Sequence, residues 1–291
     1  MMPRVDVLPS PKTVLGESPL WDGPGQRLVF CDIRGHSVHD LDLETGEGHH
    51  WKFDEPVGSI ALCRSGRLLL AMQTGLYTFD RSNEERRLVA NPEPNLPDNR
   101  FNDGRCDARG RFFVGTMQDF GGKQATGALY RIDPDFSHVR LLTDVRIPNA
   151  ICWSPDARTM YFTDTPTGQL QAFDFHSERG EMSNPRVLLD KGALPGKCDG
   201  AAVDVEGCIW IARFGGGCVA RITPDGAIDR IIEVPATNVT SCCFAGPRLD
   251  TLIITTGTHG LAQQPLAGRL FSLIPGVKGV PEAVFADQAI A

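Results

Sequence analysis

Four oxygen-bearing side chains share a register in this chain. Asn102, Asn149 and Asp199 each stand nine residues before a short apolar run, and Glu17 stands ten before another. Two carboxylates and two carboxamides make a hard donor set. Such a set suits one divalent cation, Ca²⁺, Mg²⁺ or Mn²⁺, with Zn²⁺ or Fe²⁺ admissible where water completes the coordination. Taken singly, an Asn or Asp in such a position reads as a strand-end cap or an Asx turn. The shared register of Glu17, Asn149 and Asp199 favours a common site over three unrelated turns. The two remaining equivalent positions hold Gly58 and Thr240.

The apolar runs are the elements that must position these residues. They begin near Arg27, Arg67, Arg111, Arg158, Cys208 and Asp250, between 40 and 50 residues apart. Each is followed by a glycine-containing turn and a second strand-like run, as in Gly75 to Asp80 or Ala128 to Asp133. Helical periodicity is scarce, so the chain reads as all-β. A repeat of this length suits a four-stranded blade, and six of them predict a six-bladed β-propeller in which residues 1–291 form a single domain. An irregular pair of β-sandwiches would need six in-register hairpins by coincidence. In a propeller the residues that open the innermost strands line one mouth of the central channel. Glu17, Asn102, Asn149 and Asp199 are therefore expected to converge on the axis. The segment before Glu17 is expected to supply the closing strand of the last blade.

Composition narrows the function classes. Hydrophobic residues at 41% and charged residues at 22% supply a large core, and 31 Gly with 21 Pro, lacking a three-residue period, imply many turns and exclude collagen. The net charge of −7 with scattered basic residues argues against nucleic acid. No apolar run exceeds five residues, the length of Leu68 to Met72, far too short for a membrane helix. Met1 to Asp6 lack the apolar stretch of a secretory leader, and nine cysteines without a Cys-x-x-Cys pair fit a reducing compartment. A cytoplasmic protein is expected, a monomer or small homo-oligomer without nucleic-acid or membrane partners, its thiols mostly buried as small apolar groups.

At the register residues the sequence resembles the SMP-30/gluconolactonase family, also called the regucalcin family. The motifs that carry the resemblance are Gly16-Glu17-Ser18-Pro19-Leu20-Trp21, Asn99-Arg100-Phe101-Asn102-Asp103-Gly104-Arg105, Gly115-Thr116-Met117, Pro148-Asn149-Ala150-Ile151-Cys152-Trp153 and Cys198-Asp199-Gly200. The resemblance implies a six-bladed propeller with one divalent metal in its channel. It implies Glu17, Asn149 and Asp199 as the metal ligands, with Arg100 and Asn102 contacting a sugar substrate. Three departures stand out: Ala150 replaces the usual Gly, Cys198 replaces a frequent Pro, and Phe120 stands where some members carry an acidic substrate contact.

A sugar lactone is an activated ester, and its hydrolysis needs a polarised carbonyl, an activated water and a stabilised oxyanion. With a cation held by Glu17, Asn149 and Asp199, no Ser or Cys nucleophile is required. Asp199, or water activated by the cation, assists the attack, and Arg100 and Asn102 orient sugar hydroxyls. No Gly-x-Ser-x-Gly elbow occurs. His49, His50 and His259 read as solvated loop residues, Cys152 as core, Cys198 as core or site lining, and Trp21, Trp153 and Trp210 as blade packing. Two alternatives stay open: a non-catalytic metal-binding propeller of the regucalcin type, and an aryl-ester or phosphotriester hydrolase. The latter would want an apolar mouth where Arg100 and several Asn stand.

Overall fold

The computed structural model describes residues 4–119, 124–261 and 263–287. They form six four-stranded antiparallel sheets arranged as a β-propeller. The innermost strands are Gly16–Asp22, Val57–Leu62, Asn99–Cys106, Pro148–Trp153, Lys197–Val203 and Val239–Ala245. We number the blades one to six in that order. Each innermost strand packs beside the next, and the first beside the last, so the ring is closed.

Burial explains why the strands differ in composition. Inner and second strands are mostly buried, and the second strands carry the apolar runs, as Leu68–Met72 does, while inner strands such as Asn99–Cys106 carry the polar residues of the axis. Outer strands such as Glu181–Leu189 face solvent and mix polar with apolar residues. Six apolar clusters fill the wedges, one between each pair of neighbouring blades. The clusters carry the radial packing and leave the axis to polar side chains. All nine cysteines are buried and unpaired, matching their expected role as small apolar groups.

Two segments complete the ring. Asp6 and Val7 pair with Ser272 and Phe271, so the N-terminal segment closes blade six as anticipated. Closure by a distant segment satisfies an otherwise open sheet edge. The C-terminal segment crosses the far end of the channel, with Val280 N donating to Val203 O (3.3 Å), Phe285 N to Leu62 O (2.7 Å) and Ala286 N to Gly110 O (2.9 Å). From it Glu282 accepts a hydrogen bond from Arg105 Nη1 at 2.6 Å. Nothing in the repeat pattern foretold this second closure.

Candidate functional site

Every innermost strand departs from regular pairing at the same place. The register shifts fall between Glu17 and Leu20, Val57 and Ser59, Phe101 and Gly104, Asn149 and Cys152, Cys198 and Ala201, and Val239 and Ser241. A β-bulge inserts an extra residue and re-aims a side chain. The bulges coincide with the register positions Glu17, Gly58, Asn102, Asn149, Asp199 and Thr240. Ser18 and Ala150, which follow Glu17 and Asn149, sit in the left-handed region at φ 50° and 55°. The backbone therefore keeps at Ala150 a conformation that glycine adopts freely, at a cost of about 1 kcal/mol.

The two register positions that are not among the candidate site residues, Gly58 and Thr240, have structural reasons. A Cβ on Gly58 would lie 2.0 Å from Phe101 O, so blade three approaches too closely for any side chain. Thr240 is fully buried and donates its hydroxyl to Gly16 O, joining blade six to blade one.

The four remaining residues meet at one mouth. Burial first, then the nearby Asp103, raises the Glu17 carboxyl well above the carboxylate range. Burial, then Glu17 and Asp103, does the same to Asp199. Burial likewise raises Asp103, whose Oδ2 accepts from Ile151 N at 3.0 Å. Asn149 donates from Nδ2 to Thr165 Oγ1 at 2.9 Å, and Thr165 donates to Cys198 O at 2.9 Å. That bond fixes the Asn149 carboxamide with Oδ1 towards Asn102. Asn102 donates to Pro148 O (2.9 Å) and to Asn149 Oδ1 (3.2 Å), and its own Oδ1 accepts from Arg100 Nη1 at 2.8 Å.

This arrangement fits a divalent cation. Mutually repelling buried carboxyls beside an oriented carboxamide oxygen are what a cation relieves. Among the described residues no Lys or Arg forms an ion pair with Glu17 or Asp199. Asp103 and Thr165 also belong to the cluster, and sequence reasoning did not single them out. Asp103 lay inside the Asn99 to Arg105 motif; Thr165, in the 3₁₀ turn Thr165–Thr167, carried no signal.

Other candidates fall where packing needs them. Cys198 is fully buried in the cluster between blades four and five, its Sγ 2.6 Å from Arg213 Nη1, so its thiol does not line the mouth. Cys152 lies in the same cluster. Trp210 is buried against Phe244 and donates to Asp204 Oδ2 at 2.8 Å. His49 and His50 stand exposed on an outer strand, and His259 on an exposed turn. Phe120 lies outside the described residues; its neighbour Asp119 accepts from Arg100 Nε at 2.7 Å. A cavity of about 820 Å³ opens at the opposite end of the propeller, near Trp21, Leu62 and Glu282. It contains none of the register residues, so the carboxyl cluster, rather than cavity size, locates the candidate chemistry.

Comparison with known proteins shows the family and the fold. A family model described as the SMP-30/Gluconolactonase/LRE-like region matches residues 15–258. Regucalcin of Xenopus laevis is 33% identical over 97% of this chain and 98% of its own length. A Bacillus subtilis chain provisionally named sugar lactone lactonase YvrE is 34% identical over 90% of this chain and 91% of its own. The crystal structure of regucalcin from Agrobacterium tumefaciens, described as a calcium-binding protein, superposes with a TM-score of 0.89 at 30% identity, covering 94% of this chain and 95% of that one.

Proposed function

The chain belongs to the SMP-30/gluconolactonase/LRE-like family, and from that premise we propose that it hydrolyses a sugar (aldono) lactone to the aldonic acid in carbohydrate catabolism, using one divalent cation. The observation that carries this reading is the convergence of Glu17, Asp199 and Asn149 beside Asn102 and Arg100. The first three would hold the cation. When bound, the cation supplies Lewis-acid polarisation of the lactone carbonyl and lowers the pKa of water.

The chain's own residues supply the rest. Arg100 and Asn102 orient sugar hydroxyls from the rim. Asp199, placed beside Glu17 and Asn149, accepts the proton of the attacking water. Thr165 keeps the Asn149 carboxamide in its orientation. A mouth of guanidinium, carboxamides and carboxyls matches a polyol better than an aryl ester.

A second reading, cation binding without turnover, draws support from the Agrobacterium relative described as calcium-binding. One experiment separates the two. The protein is stripped of metal, single cations are restored, and acid release is followed from a panel of aldonolactones. Cation-dependent opening of at least one lactone above the buffer rate supports the lactonase; cation binding without opening of any lactone leaves the second reading.

A further inference from the structure

A belt of hydrogen bonds runs around the mouth, and its far anchor has no role in the scheme above. Asp119 follows the second strand of blade three and its carboxylate is fully buried. Its Oδ1 accepts from Arg100 Nε at 2.7 Å and from Arg34 Nη2 at 2.6 Å, while its Oδ2 accepts from Arg34 Nη1 at 2.8 Å. Arg34 lies in the turn after Arg27–Asp32 of blade one, so the pairing reaches over blade two. The Asp119 backbone is itself anchored, N to Asp98 O at 2.9 Å.

Arg100 is only 4% exposed and is held on two sides. Its Nε is taken by Asp119, and its Nη1 donates to Phe101 O and Asn102 Oδ1, each at 2.8 Å. Among the described residues no hydrogen bond engages Nη2. A guanidinium is a rigid planar fork, so fixing two of its nitrogens fixes the direction of the third. Asn102 inherits that constraint through its Oδ1, whereas Asn149 is oriented separately by Thr165.

We propose that Asp119, braced by Arg34 across blade two, is a positioning residue that aims Arg100 Nη2 and the Asn102 carboxamide at the substrate hydroxyls. The proposal rests on the lactonase reading for its substrate. It assigns no part to Asp119 in holding the cation. The charges agree: burial alone would raise the Asp119 carboxyl, but the Arg100 charge and the hydrogen bonds from Arg34 and Arg100 outweigh it and hold the group below its ordinary range.

The test combines kinetics with calorimetry on the cation-loaded protein. Asp119→Asn is expected to raise KM for the best lactone about tenfold or more, with kcat and cation affinity within about threefold of wild type. Asp119→Glu recovers part of the loss. Arg34→Gln gives a smaller rise, and the double variant is no worse than Asp119→Asn, because Arg34 acts through Asp119. Unchanged KM in Asp119→Asn, effects that multiply in the double variant, or a fall in kcat and cation affinity at constant KM would each overturn the proposal. If Asp119→Asn does not fold, Arg34→Gln and Asp119→Glu carry the comparison. Should the wild type open no lactone, the lactonase reading fails by itself, and binding of D-gluconate decides the positioning role. Weakening by about tenfold in Asp119→Asn supports it; equal affinity, or a wild type that does not bind D-gluconate, overturns it.

Discussion

Asn102 Nδ2 donates to Asn149 Oδ1 at 3.2 Å, linking the third and fourth blades by the two residues that open their bulges. A carboxamide oxygen has two lone pairs. Asn149 Oδ1 can accept from Asn102 and keep a lone pair for a cation, so the two roles expected of these residues, gripping sugar and holding a cation, are joined by one hydrogen bond.

Loss of a ligating side chain should therefore remove cation binding and turnover together. Asp199→Ala and Asn149→Ala are each expected to abolish high-affinity cation binding in calorimetry and to lower kcat/KM by about a thousandfold or more. Arg100→Ala should raise KM by about ten- to a hundredfold while the cation still binds. Full activity in either ligand variant contradicts the site.

Cation binding should expel protons. Glu17 and Asp199 are both raised, by burial and by neighbouring carboxyls. A carboxyl raised in the folded state stabilises the stripped protein below its ordinary value, and that contribution is lost as pH rises through the raised value. The stripped protein should lose stability from weakly acidic to weakly alkaline pH, and Glu17→Gln should flatten the slope. Adding cation near neutrality should release about one to two protons, measured by calorimetry in buffers of different ionisation enthalpy. Binding without proton release would contradict the protonated pair.

His39 predicts an acid limb far from the site. It stacks on Phe30 at 4.8 Å, shares a 3.0 Å hydrogen bond with Ser37, and burial lowers it from 6.5 to about 4. A depressed histidine contributes stability above its unfolded value, and loses it as pH falls toward 4; the span is on the order of 3 kcal/mol. Denaturant titrations of His39→Phe should show a shallower loss between pH 6.5 and 4. An unchanged slope assigns the acid limb to other groups.

The plug at the far end should matter for stability. Arg105 and Glu282 are mostly buried and 2.6 Å apart. Glu282→Ala removes the ion-pair partner of the Arg105 guanidinium, leaving the nearby Asp103 to offset it, and should cost about 3 kcal/mol, lowering Tm by about 6 °C or more. Replacing both, Glu282→Leu with Arg105→Met, should recover most of it. Equal Tm for wild type and Glu282→Ala would show that the pair is neutral.

Much of this architecture is legible in the residue order, for a physical reason. A buried strand writes its burial into every residue, so six runs starting 40 to 50 residues apart announce six blades. Counting back from the runs reaches Glu17, Asn102, Asn149 and Asp199 because one bulge recurs in all six inner strands. Equivalent backbone produces equivalent numbering. Ala150, where the family usually carries Gly, adopts the left-handed geometry all the same, because surrounding packing outweighs a preference of about 1 kcal/mol.

Contacts outside the repeat have no period and leave no such trace. Glu282 reaches Arg105 only because the C-terminal segment crosses the channel end, and Arg34 reaches Asp119 only because two turns meet over blade two. Cys198, next to Asp199, turns its thiol into the wedge between blades four and five, since successive side chains leave a strand on opposite faces. Residue order thus carried the blades and the register of the candidate ligands. Which charges pair across the ring, and which neighbour of a ligand faces the mouth, followed from packing between segments far apart in the chain.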